Sequence, residues 1–283
     1  MMEPCSTAPR VGPAIPASPG LFRAAGWPAT LDGMTELIAL ITGANKGIGF
    51  ETARQLGARG MTVLLGARDE TRGQAAEAAL TADNIDAHYV RLDVTDGKSA
   101  REAADWIDAH YGRLDILVNN AGIAIRGGPP SATPLDGMRE VFETNVFGVI
   151  AVTNAMLPLL RRAPSARIVN VSSEIGSLTF MSDRSSPAWQ LPPSIAYPAS
   201  KSALNMVTAM YAKELAGTPV KVNAANPGYC ATDLNGRSGF RAAAEGASVS
   251  VHLATLPGDG PTGTLWGYRW GAADPGQYGD LPW

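Results

Sequence analysis

The chain has 283 residues and only two cysteines, Cys5 and Cys230. They form no CxxC pair and no disulfide framework, and no metal site is expected. A reducing compartment, the cytoplasm, is the expected location. There is no basic excess: Lys and Arg number 23 against 26 Asp and Glu, for a net charge of −3. No basic run is present either, which argues against a nucleic-acid binder. Near-apolar runs such as Val146 to Val152 are far shorter than a membrane span. The amino terminus has no basic start followed by an apolar block, so no secretory signal is expected. Charged residues make up 17% and hydrophobic residues 45%, which leaves ample material for a core. The 31 glycines and 21 prolines suit many tight turns better than a helical bundle.

Residues 1–33 differ from the rest. They hold Pro4, Pro9, Pro13, Pro16, Pro19 and Pro28 and show no sustained periodicity. Such a stretch buries too little apolar surface to offset its ordering entropy. Two expectations stand side by side: translation starts at Met34 and the extension is not native, or residues 1–33 are a flexible tail. From Met34 onward, strands and helices alternate. Strands are expected at Leu37–Ile41, Met61–Leu65, His88–Val94, Leu114–Asn119, Arg167–Val171 and Val220–Ala225, with a last one near Thr264–Tyr268. Helices are expected at Gly47–Arg59, Glu70–Leu80, Ser99–His110, Pro134–Leu160, Ser194–Leu215 and Phe240–Ala247. This pattern predicts an α/β fold: a Rossmann-type, doubly wound parallel sheet of about seven strands, helices on both faces, in one domain over residues 34–283.

The first strand runs into Thr42-Gly43-Ala44-Asn45-Lys46-Gly47-Ile48-Gly49. Glycines there let the backbone turn sharply and approach a pyrophosphate, which the next helix receives on its free N–H groups. An acid about 20 residues on would bind the adenosine ribose and repel a 2′-phosphate. Here the second strand ends Leu65-Gly66-Ala67-Arg68, with a guanidinium in place of the acid. Lys46 adds a second cation, and the pair predicts NADP(H). Asp93 can accept from an adenine amino group or cap the following turn. Asn119-Asn120-Ala121-Gly122 closes the fourth strand with small residues, where such folds lay their ligand across the strand ends.

Tyr197 and Lys201 lie four apart, on one helix face. A phenol, with a reference pKa of about 10, is a poor acid at neutral pH. A nearby ammonium is expected to lower that value and let Tyr197 donate a proton to a carbonyl oxygen or take one back. A serine of Ser172-Ser173, at the end of the fifth strand, can hold that oxygen. Asn145 is a polar residue inside an apolar helix.

Together these residues resemble the short-chain dehydrogenase/reductase family. The match runs in order through the Gly-rich turn, Asp93, Asn119 to Gly122, Asn145, the serine strand, the Tyr-x3-Lys pair and Asn226-Pro227-Gly228. Gly43 to Phe50, Ala67 to Gly73 and Pro227 to Asp233 resemble its NADPH-dependent carbonyl reductase branch. The resemblance implies that Tyr197 is the proton donor, that Lys201 binds the nicotinamide ribose, and that Ser173 rather than Ser172 holds the substrate oxygen. It implies that Asn145 anchors a water linking Lys201 to solvent. It places Gly43, Asn45, Lys46, Gly47, Ile48, Gly49 and Arg68 at the phosphates and adenosine. Asp93 and Val94 would frame the adenine, Asn120, Ala121 and Gly122 would lie along the ribose, and Pro227, Gly228 and Thr232 would border the nicotinamide.

One departure stands out. Leu178–Pro193 adds a segment between Ser173 and Tyr197 that many family members lack. Related carbonyl reductases carry a longer one, and some are monomers because it covers the usual pairing surface; monomer and homo-oligomer both remain open. The inserted Phe180, Trp189 and Leu191 could wall an apolar substrate pocket or cover the core. The expected partner is a small-molecule carbonyl compound. The competing function, a non-catalytic NADP-sensing regulator of the same fold, fits less well because such proteins tend to lose the tyrosine or the lysine.

Overall fold

The computed structural model describes residues 37–125, 128–271 and 277–283. Expectations about residues 1–33, Met34 and Cys5 lie outside the described residues. The apolar runs form strands β1 (Ile38–Thr42), β2 (Thr62–Ala67), β3 (Ala87–Arg91), β4 (Ile116–Asn119), β5 (Ala166–Val171), β6 (Val220–Asn226) and β7 (Leu265–Tyr268). An eighth, β8 (Tyr278–Leu281), follows. The sheet order is β3-β2-β1-β4-β5-β6-β7-β8, parallel throughout except for β8, which pairs antiparallel with β7. The expected seven strands are thus joined by one more. Tyr-Gly-Asp-Leu has no apolar run of its own, and β8 is held by β7 and by the Tyr278 ring stacked on Trp266 at 5.8 Å.

The helices are α1 (Gly47–Gly57), α2 (Glu70–Ala82), α3 (Gly97–Tyr111), α4 (Leu135–Phe142), α5 (Gly148–Leu160), α6 (Leu178–Ser182), α7 (Ala196–Glu214) and α8 (Ala243–Ala254). Successive residues of each strand feed opposite layers, because side chains alternate across a pleat. Leu40, Leu64, Leu117, Ile168 and Val222 pack with Ile107 of α3, Met156 of α5 and Leu215. Their neighbours Ala39, Ile41, Val63, Val118 and Val169 pack with Leu56 of α1, Leu80 of α2 and Leu253 of α8. Both faces of the sheet are therefore covered, as a parallel sheet requires. Asp69 and Asp96 cap α2 and α3 by accepting from Arg72 N and Lys98 N.

The long helix expected at Pro134–Leu160 is interrupted. A single π-turn, Glu143–Phe147, joins α4 to α5. The continuous run Leu135–Leu160 has the length and composition of a membrane span, yet half of its most apolar stretch is buried in the fold, so it is a core helix. The strand expected to reach Val94 stops at Arg91, where Asp93 Oδ1 accepts from Thr95 N (3.0 Å) and Thr95 Oγ1 (2.8 Å) and turns the chain outward. The last helix starts later than expected, at Ala243, and runs on to Ala254.

The strand order reverses between β1 and β4. In open α/β sheets the crevice beyond the carboxyl ends at such a reversal is where ligands bind.

Candidate active site

Beyond β1 the chain turns at Gly43, whose φ of +64° is costly for any residue with a Cβ. A Cβ there would also sit 3.0 Å from the Ala121 Cα. The turn is braced from β4: Asn120 N and Ala121 N each donate to Thr42 Oγ1 at 3.0 Å. The Asn120 side chain donates to Thr42 O (2.9 Å) and Gly43 O (3.3 Å). The Asn120 amide thus holds the turn closed by giving both carbonyls a donor.

At the N-terminus of α1, Lys46 occupies the cap position and its side chain caps none of the first N–H groups, in contrast to α2 and α3. The first N–H groups of α1 thus have no side-chain acceptor, which suits an anion. Beside them lies a groove lined by Asn45, Lys46, Phe50, Arg72, Ala76 and Asp233. Two cations in this groove fit a phosphate. The second is Arg72, one turn into α2. Arg68 is exposed at the end of β2 and does not line the groove. Arg72 was quoted in the sequence motif, but only the start of α2 at Glu70 shows that it is brought round to Lys46. Ile48 lies near Gly246 of α8, and Gly49 is packed against the Asn120 amide. Asp93 keeps the turn-capping contacts already described, which leaves Oδ2 without a hydrogen bond among the described residues; Val94 packs on Gly148.

The catalytic candidates converge on the end of β5. The two serines differ sharply. Ser172 is buried and donates to Asn205 Oδ1 at 2.5 Å, so its hydroxyl is committed to the core. Ser173 is half-buried, and its hydroxyl makes no hydrogen bond among the described residues. Lys201 is 4% exposed and donates to Val171 O at 2.7 Å, with its Nζ 5.5 Å from the Tyr197 ring centroid. Gly176 makes room for α7 here, since a Cβ would meet the Lys201 Cβ at 2.7 Å. A Cβ on Gly122 would lie 3.3 Å from Asn145 Oδ1 and 3.7 Å from Lys201 Nζ, so Gly122 keeps the floor low beside both.

Asn145, in the π-turn, is fully buried. It accepts from Ile123 N (2.8 Å) and donates to Ile123 O (2.9 Å) and Ser200 Oγ (3.0 Å). Ser200 in turn donates to Tyr197 O at 2.7 Å. The Asn145 amide has spent both donor hydrogens, so its side chain acts as a brace that ties α7 to the β4 loop. Ser200 was missed in the sequence; its place three residues after Tyr197, on the inner side of α7, was the available signal.

The ionisation of Tyr197 runs against expectation. Burial, reinforced by the nearby Cys230, pushes its phenol up to about 12, while burial pulls Lys201 down to about 8. Desolvation outweighs the attraction of an ammonium that is held at Val171 O and does not touch the phenol oxygen. The crevice beside Tyr197 is lined by Ile125, Thr133, Ser194 and Ile195. Phe180 packs toward Trp270 at 6.4 Å, and Trp189 and Leu191 are exposed, with Arg184 over the Trp189 ring. Thr179 N and Oγ1 both donate to Trp283 O, which ties the segment to Trp283.

On the far side, Pro227 and Gly228 follow β6, with Gly228 against the Tyr268 ring and the Arg241 stem. Thr232 Cγ2 is 3.5 Å from where a Gly47 Cβ would be, so this loop sits directly over the α1 N-terminus. Sequence reasoning also missed Glu174. It is 6% exposed, its N donates to Asn226 Oδ1 (3.1 Å), and its Oε2 accepts from Trp270 N (3.1 Å). Burial pushes its carboxyl up to about 7.

Comparison with known proteins agrees with this geometry. The short chain dehydrogenase family profile matches residues 37–241. Short-chain dehydrogenase anuI of Penicillium roqueforti is 40% identical over 230 residues, covering 78% of this chain and 90% of that protein. Carbonyl reductase [NADPH] 1 of Bos taurus is 35% identical, covering 80% and 94%. The structure of salutaridine reductase from Papaver somniferum superposes with a TM-score of 0.72 at 32% identity, over 81% of this chain and 99% of that one. Profile, relatives and superposition agree: the chain belongs to the short-chain dehydrogenase/reductase family of oxidoreductases.

Proposed function

We propose that the chain is an NADPH-dependent carbonyl reductase, with Tyr197 as proton donor. The observation that carries the reading is geometric: the buried Lys201 reaches from the Tyr197 ring, 5.5 Å from its Nζ, to Val171 O, two residues before the uncommitted Ser173 hydroxyl. A phenol that stays protonated is the form needed to donate. Bound NADPH would supply a hydride to the carbonyl carbon. Ser173, with its hydroxyl uncommitted, hydrogen-bonds the carbonyl oxygen and aims it at the phenol. Tyr197 gives its proton to that oxygen as negative charge develops there. Lys201 carries a positive charge below about pH 8 and offsets the phenolate left behind. Asn145 and Ser200 hold the Tyr197 backbone in place. Lys46 and Arg72 would hold the 2′-phosphate, and the α1 N-terminus the pyrophosphate. The carbonyl reductase name of the Bos taurus relative points the same way.

The test is a screen over aldehydes, ketones and quinones that follows NADPH absorbance, with NADH in parallel. Oxidation of NADPH by at least one class, in preference to NADH, is expected. No turnover on any class, or a preference for NADH, overturns the reading.

A further inference from the structure

The groove assigned to the 2′-phosphate contains a negative charge. Asp233 Oδ2 lies 2.9 Å from Lys46 Nζ, an ion pair between segments far apart in the chain. Asp233 opens the short turn Asp233–Asn235 after β6, in the loop whose Thr232 rests over Gly47. Its other oxygen, Oδ1, is 3.4 Å from Arg237 Nε. The hydrogen bond and charge of Lys46, with Arg237 adding to them, hold the Asp233 carboxyl below its usual range, so it is ionised at neutral pH. Nothing in the local fold requires the Lys46 contact. Thr232 and Asn235 cap the turn, and α1 makes no use of the Lys46 side chain.

A ligand carrying a 2′-phosphate must therefore take Lys46 from a carboxylate that already holds it, whereas a ligand with a bare 2′-hydroxyl need not. If Asp233 stays, it repels the incoming dianion; if it leaves, Arg237 remains as its partner. Resting on the reading of Lys46 as a phosphate ligand, we infer that Asp233 is a specificity-determining residue: a built-in competitor for Lys46 that narrows the preference for NADPH over NADH. Both partners are about half exposed, with side-chain exposures of 55% for Lys46 and 47% for Asp233. An exposed pair of this kind is worth a factor of up to about five in binding.

The test needs no turnover. The full chain is titrated calorimetrically with 2′,5′-ADP and with 5′-AMP, which differ only in the 2′-phosphate. Wild type should bind 2′,5′-ADP more tightly. Asp233→Asn should tighten 2′,5′-ADP a further two- to fivefold, leave 5′-AMP unchanged, and lose its advantage as salt rises. In a Lys46→Ala background, the selective effect of Asp233→Asn should shrink, because only the direct repulsion of the phosphate is left to remove. Asp233→Ala, which also removes the charge, should behave like Asp233→Asn. If wild type binds the two ligands equally, the NADPH reading itself fails. If wild type prefers 2′,5′-ADP but removing the charge leaves that preference unchanged, or tightens both ligands alike, the inference about Asp233 is overturned and the NADPH reading stands.

Discussion

Glu174 gives the sharpest quantitative prediction. It is a carboxyl buried at the end of β5, next to Ser173, with its pKa raised from 4.5 to about 7. Burial is the main cause; the hydrogen bonds from Trp270 and Asn226 and the charge of Arg241 pull the other way without reversing it. A folded-state pKa above the unfolded one means that the folded state binds the proton more tightly. The associated stability is therefore fully present below about pH 4.5 and is lost as pH rises through about 7. At about 1.4 kcal/mol per pH unit, this displacement corresponds to about 3 kcal/mol. Glu174→Gln keeps a carbonyl oxygen for Trp270 N and removes the charge. The variant should match wild type at pH 5 and be more stable by about 2–3 kcal/mol at pH 8. For a domain of this size that is a melting-temperature gain of about 5–10 °C at pH 8. Thermal and urea unfolding of both proteins from pH 5 to 8.5 would measure it. Curves that stay parallel across this range would refute the argument, because they would mean that Glu174 does not titrate differently in the folded state.

Other expectations follow from the same geometry. Ser173→Ala should cut turnover by about a hundredfold with little change in melting temperature, whereas Ser172→Ala should lose about 1–2 kcal/mol of stability by leaving Asn205 without its donor. Parallel activity and unfolding measurements separate the two, and equal behaviour of the serines would contradict their assignment. Thr42→Val, close in shape, should leave Ala121 N without an acceptor and Asn120 N with Val118 O alone, cost about 1–3 kcal/mol and weaken 2′,5′-ADP binding; unchanged calorimetric affinity would count against the bracing role. Lys201→Met should abolish turnover yet hold or raise the melting temperature near pH 7, because a lysine lowered to about 8 is charged there at a desolvation cost. The difference should shrink as pH rises from 8 toward 10.5, where the native lysine is neutral in the fold. A melting-temperature gap that widens over that range would be the contrary result.

Much of this was legible in the sequence, for identifiable reasons. The strands β1, β2 and β4 to β6 are short apolar runs bounded by turn residues, and the Gly-rich turn and the Tyr-x3-Lys pair are local motifs. What escaped depends on partners distant in the chain. β8 exists because β7 offers an edge. The choice between Ser172 and Ser173, made in the sequence by resemblance, acquires a physical reason only from Asn205 on α7. Ser200 matters through Asn145, and Arg72 joins Lys46 only because α2 begins where it does. The Tyr197 ionisation ran opposite to expectation because helical spacing reports an ammonium nearby but not the desolvation that exceeds it. For the inserted segment the sequence left two places open, walling a pocket or covering the core; its tie to Trp283 depends on a partner outside the reach of any local pattern.

The most direct measurement is a single-turnover experiment on Tyr197→Phe, with NADPH prebound and a carbonyl compound reduced by wild type. The account predicts a hydride-transfer rate lower by about a hundredfold or more at unchanged NADPH affinity. A Tyr197→Phe enzyme that reduces the compound at the wild-type rate would contradict it.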